Sequence, residues 1–192
     1  MKNIKYRYLT VLLFFLANSA FAQSDTISKQ WLHVGYFGEN ITHFGLSGGY
    51  GYSFWDSFKK RKNVHFHQLY VEGNFSFLIH PNNQAVFFLI PELGYRYTKN
   101  SNWYLQFTAG AGLLRTFYLA KTFEADEDGG FKGIPMAGKW SLGSSFSAGF
   151  GKSIIKQKDL FLFTQIRLIN EHFYNQKTLL RPIFQLGLLK QI

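Results

Sequence analysis

The chain has 192 residues with no cysteine, and its 21 Lys+Arg against 11 Asp+Glu give a formal charge of +10. The missing thiols exclude disulfide staples and thiolate zinc sites. The basic residues are scattered between turns and strand ends, with one run at Lys59-Lys60-Arg61-Lys62, which suits an anionic lipid surface better than nucleic acid.

The first segment reads as an address. Lys2, Lys5 and Arg7 precede an apolar stretch over 9–17 broken only by Thr10, and Ala20-Phe21-Ala22 supplies small residues at a cleavage site. This order predicts a secretory signal peptide over 1–22, cut before Gln23. The apolar stretch falls short of the roughly 20 residues a spanning helix needs. Residues 23–192 are then expected to form one exported domain.

That domain reads as strands near 31–38, 42–55, 64–79, 85–98, 103–118, 139–153, 160–171 and 180–190. Aromatics make up 19% of the chain and there are only 4 prolines, a balance that favours pleated structure. Eight strands predict an all-β, eight-stranded antiparallel up-and-down transmembrane β-barrel, since bacterial barrels close with an even number. Alternation supports this. Phe44, Leu46, Tyr50, Tyr52 and Phe54 share one face, and Gly45, Ser47, Gly49, Gly51 and Ser53 the other. Trp103 to Leu113 and Trp140 to Gly151 repeat the pattern, with Ser144 an exception on the apolar face. The polar face is small and uncharged, unlike a soluble barrel's exterior, so it is placed in the lumen with the large apolar residues facing lipid.

Charges within strands obey the same parity. Glu72, Glu92, Arg96 and Arg167 all fall on the inner face, where two acids and two arginines are expected to pair. Pro91 predicts a bulge, because it cannot donate to a ladder. Arg115 has outward parity, implying a place beyond the membrane or a register shift. Phe161 and Phe163 have inward parity. With both termini periplasmic, the long connection 119–138 lies outside the cell and carries an acidic stretch, Glu124, Asp126, Glu127 and Asp128.

Few residues suggest chemistry. Gly149-Phe150-Gly151-Lys152-Ser153 resembles the end of a phosphate-binding loop, but position 146 is Phe where that motif requires Gly. The acidic loop lacks the alternating ligand spacing of a calcium loop. His65 and His67 share a face without an evident third metal ligand, so a polar strand start is preferred. Glu171 and His172 are adjacent and face opposite sides, so the carboxylate does not orient the imidazole. The inner charges are read as a structural plug in preference to a pore or proton path, an eight-stranded barrel being narrow.

The leader, the aromatic alternation, Pro91-Glu92-Leu93-Gly94-Tyr95-Arg96-Tyr97, and Gly110-Ala111-Gly112 running into Thr116-Phe117-Tyr118 resemble small outer-membrane β-barrel proteins of Bacteroidota. The resemblance implies an outer-membrane location and transfers no catalytic residue. The chain departs from the common barrel ending, since Lys190-Gln191-Ile192 has no terminal aromatic. The expected role is structural or surface-interactive, without cofactor, in contact with lipids including lipopolysaccharide and an unidentified envelope protein. The alternatives are a lipid-modifying enzyme of the lipid A hydrolase or acyltransferase type, a narrow channel, and a soluble ligand-binding barrel.

Overall fold

A computed structural model describes residues 28–40, 43–60, 64–81, 83–99, 102–120, 122–125, 130–134, 136–155, 159–174 and 177–192. Residues 1–22, where a signal peptide is expected, Arg61 and Lys62 of the basic run, and Asp126, Glu127 and Asp128 lie outside the described residues.

Among the described residues ten strands follow in chain order: β1 (Gln30–Asn40), β2 (His43–Lys60), β3 (Val64–His80), β4 (Gln84–Lys99), β5 (Trp103–Tyr118), β6 (Thr122–Ala125), β7 (Phe131–Ile134), β8 (Gly138–Ile155), β9 (Leu160–Tyr174) and β10 (Lys177–Gln191). Eight of them close an antiparallel up-and-down barrel in the order β1-β10-β9-β8-β5-β4-β3-β2. Closure is made by β1, where Trp31 stands opposite Gly51 on one side and Gln191 on the other. The expected eight-stranded barrel is therefore present. The additional pair, β6 and β7, forms its own small sheet in the connection between β5 and β8.

Side-chain parity sorts as the alternation requires. Leu46, Leu93, Trp140 and Ile166 stand outside at 62–68% exposed, while Asn74, Glu92, Gln106 and Gln165 are buried inside. A wall of exposed Leu, Ile, Phe and Val around a closed ring is unfavourable in water and suits hydrocarbon. Tyr95, Tyr97, Trp103, His65 and His67 cluster outside at the end that carries the termini, in the manner of an interfacial girdle.

Pro91 does not make the expected bulge. It pairs with Gly73 on β3, and the β4–β5 ladder lapses at Ile90 and Pro91 but resumes in the same register. Register shifts fall elsewhere, one of them within β2 between Ser53 and Trp55. It puts both Phe54 and Trp55 outside and returns Asp56 to the inner side, where it accepts from Gln68. Arg115 undergoes no register shift either. It stands in line with Phe87 and Trp140 near the long-loop end, its guanidinium over the Phe117 and Trp140 rings.

The lumen is less uniformly polar than the small inner-face residues suggest. Phe37, Leu78, Phe88 and Ile183 belong to an apolar cluster toward the long-loop end. Trp31, Tyr70, Tyr104, Phe161 and Phe163 belong to a second cluster toward the termini. A polar belt lies between them.

Candidate functional site in the barrel lumen

Glu92 is the hub of the polar belt. Its carboxylate meets Arg167 Nη2 at 3.0 Å and accepts from Asn74 at 2.8 Å, Thr108 at 2.9 Å and Ser145. These partners come from β3, β5, β8 and β9, so one β4 side chain ties together much of the ring. A buried carboxylate is tolerable when its charge is paired and its lone pairs are filled, and both conditions hold here.

Glu72 stands directly opposite Glu92 in the β3–β4 ladder. Like charges so placed repel, and the two side chains turn to different walls. Glu72 accepts from Trp31 Nε1 at 2.8 Å and lies 3.5 Å from His33 Nδ1. Arg96 departs from the expected acid–arginine pairing. Its guanidinium lies 4.0 Å from the Trp31 ring centre, 4.6 Å from Tyr104 and 5.1 Å from Tyr70, and donates to Gln106 at 2.9 Å. The weakly hydrated, planar guanidinium suits an aromatic cage. Of the four charges named from the sequence, only Glu92 and Arg167 pair with one another among the described residues.

A hydrogen-bond chain joins the two centres. Arg96 donates to Gln106, Gln106 to Gln165, Gln165 to Ser147, Ser147 to Thr108, and Thr108 to Glu92. The Thr108 hydroxyl proton is committed to Glu92, which fixes Ser147 as donor in the step before. Every dipole thus points from the cation to the anion, the arrangement in which successive bonds polarise one another favourably.

A further ionic layer near the long-loop end is absent from the sequence reading. Arg181 donates to Glu171 at 2.9 and 3.0 Å and reaches Glu39 at 3.4 Å, while Ser141 donates to the other Glu171 oxygen. His80 lies 3.1 Å from Glu39, and its ring centre is 4.0 Å from that of His43. The signal was available in parity: Glu171 continues the inner series of Gln165 and Arg167, and Arg181 that of Gln185. Taking these residues as strand ends hid it.

The remaining sequence candidates fall elsewhere. The Gly149–Ser153 string is extended β8 backbone, with Phe150 and Lys152 exposed outside. His65 and His67 are engaged by the Tyr97 and Tyr95 hydroxyls at 2.6 Å each. Glu124 is exposed on β6 opposite Lys132. Glu171 points inward and His172 outward, as parity requires, and His172 Nε2 lies 3.1 Å from Ser144 Oγ on the neighbouring strand. The clue to that pair was two polar exceptions on otherwise apolar faces of adjacent strands.

No protein-family model matches the chain, and no curated protein matches it significantly. Among solved structures it resembles the β domain of the Bordetella autotransporter BrkA at 15% identity, covering 85% of this chain and 70% of that one, with a TM-score of 0.41. The Yersinia pestis outer membrane protein Ail in a phospholipid bilayer nanodisc aligns at 13% identity over 86% of this chain and 99% of its own, with a TM-score of 0.41. The outer membrane enzyme PagL aligns at 14% identity over 83% and 95%, with a TM-score of 0.37. These are distant likenesses of barrel shape, and no residue's role is taken from them.

Proposed function

We propose that this chain is an outer-membrane barrel whose lumen is structural and whose working surface is the long-loop end, facing out of the cell. The observation that carries this reading is the β6–β7 hairpin. It stands apart from the barrel sheet, and the connection that holds it exposes Leu119, Phe123 and Met136 at 52, 57 and 73%. Apolar side chains exposed on and beside a hairpin separate from the barrel sheet suit contact with another envelope or external molecule. Arg115, set between Phe117 and Trp140 on the outer wall, suits the phosphate of an outer-leaflet lipid such as lipopolysaccharide. The filled lumen favours an anchor over a channel.

The chain has no cysteine, which permits a clean test. A Phe123→Cys variant is expected to react with a membrane-impermeant maleimide on intact cells. Labelling only after lysis would overturn the orientation, and recovery of the protein in the soluble periplasm would overturn the barrel's location.

A second reading is favoured by one contact. Ser144 and His172 meet at 3.1 Å on the lipid-facing wall, and a hydroxyl beside an imidazole is the core of an acyl-transfer or hydrolytic site. Among the described residues no carboxylate orients His172, so this reading stands second. An unchanged lipid A acyl pattern on comparing wild type with Ser144→Ala would remove it.

A further inference from the structure

The residues Glu39, His43 and His80 bring three ligand-type side chains from β1, β2 and β3 to one place at the long-loop end of the lumen. One ligand atom from each lies within 4.8 Å of the others. We propose that this cluster is a binding site for one zinc-class divalent cation, held by two imidazoles and a carboxylate with a fourth position open to water.

Three observations carry the assignment. The donor set is the first: two histidines and one glutamate match borderline transition metals better than calcium or magnesium, which prefer all-oxygen sites. The second is the state of the imidazoles. His80 is 8% exposed, and its Nε2, though 3.1 Å from Glu39, makes no hydrogen bond of good geometry among the described residues. His43 Nδ1 is likewise buried without a hydrogen-bond partner among them. Buried ring nitrogens are costly to leave unbonded, and a cation supplies what both lack. The third is charge. Among the described residues Glu39 and Glu171 share the Arg181 cation, so these three groups carry a net negative charge that a metal would neutralise.

The geometry needs modest closure. Ligand atoms around a tetrahedral ion with bonds near 2.0–2.1 Å sit about 3.4 Å apart, so side-chain rotation of about 1 Å closes the site. Arg181 fits such a site as an outer partner that orients the Glu39 carboxylate. A bound ion would join three strand ends where the β1–β2 ladder already carries a bulge between Gly38 and Asn40.

The test is titration of the untagged, detergent-refolded barrel with Zn²⁺ by calorimetry and with Co²⁺ by visible absorption. One ion per chain is expected, with affinity at least ten-fold weaker in His43→Ala and in His80→Ala. The His65→Ala/His67→Ala double variant serves as the control and should bind as wild type does. Heat-dependent gel migration identifies folded variants, and Glu39→Gln replaces any alanine variant that does not fold. Failure of the wild type to bind, or binding that survives loss of His43, His80 and Glu39 in turn, would overturn the site without touching the barrel or its orientation.

Discussion

Glu92 shows how much a single lumen side chain carries. Replacing it with alanine leaves Arg167 buried without its ion-pair partner and removes the acceptor for Asn74, Thr108 and Ser145. Loss of one partner of a buried pair costs about 3–5 kcal/mol. Glu92→Ala is therefore expected to lose about that much in urea unfolding, and a midpoint equal to wild type would show that the hub is not structural. Gln165 tests the chain beyond it. Gln165→Leu leaves Gln106 and Ser147 each short of a bond, at about 1–3 kcal/mol for buried polar groups left unsatisfied. The double variant Glu92→Ala/Gln165→Leu should lose less than the sum of the two, because the groups share one network. Which acid would meet which arginine was not legible in the sequence. Parity told that Glu72, Glu92, Arg96 and Arg167 all face inward. The pairing depends on the stagger of strands distant in the chain, so that Glu92 finds Arg167 across the lumen while Arg96, four residues on, finds an aromatic cage.

The strands themselves were largely legible, because a lipid-facing wall demands large apolar residues at every second position and a narrow lumen demands small ones. The inward aromatics broke that rule, and the glycines explain them. A Cβ built on Gly51 would stand 2.1 Å from the Trp31 ring, on Gly94 2.1 Å from Tyr70, and on Gly151 2.2 Å from Tyr104. Each glycine is the direct cross-strand partner of its ring. These three glycines are thus sockets, and the rings seated in them are the three that surround Arg96. Gly94→Ala and Gly151→Ala should each displace a ring at an overpacking cost of about 1–3 kcal/mol. Unfolding measured beside Gly73→Ala makes the comparison, because the outward Gly73 has nothing near its Cβ position. If all three variants behaved alike, the socket explanation would fail. The β6–β7 hairpin escaped the sequence reading for a different reason: its strands are four residues each and show no periodicity long enough to notice.

Taken whole, the molecule is a closed wall around a core that alternates ionic, apolar, polar and aromatic layers. The wall predicts a depth-dependent response to charge. Leu93, mid-strand on β4 and 62% exposed, should cost about 2–4 kcal/mol as Leu93→Arg when the barrel is folded into lipid vesicles. Leu180→Arg, near the long-loop end of β10, should cost only about 0–1 kcal/mol. The core predicts electrical silence. An ion crossing the lumen would have to pass the apolar cluster of Phe37, Leu78, Phe88 and Ile183, then the Glu92 hub, then the ring of Trp31, Tyr70 and Tyr104 around Arg96. Each apolar layer withholds the hydration an ion needs, and the fixed guanidinium in the last repels cations. Planar-bilayer recordings of the refolded wild type should therefore show no steady conductance. Thinning the aromatic layer alone, by Trp31→Ala, should still not open a path, because Tyr70 and Tyr104 and the long-loop apolar cluster remain in place. A conducting wild type would restore the channel reading, and a conducting Trp31→Ala would locate the whole barrier in the ring around Arg96.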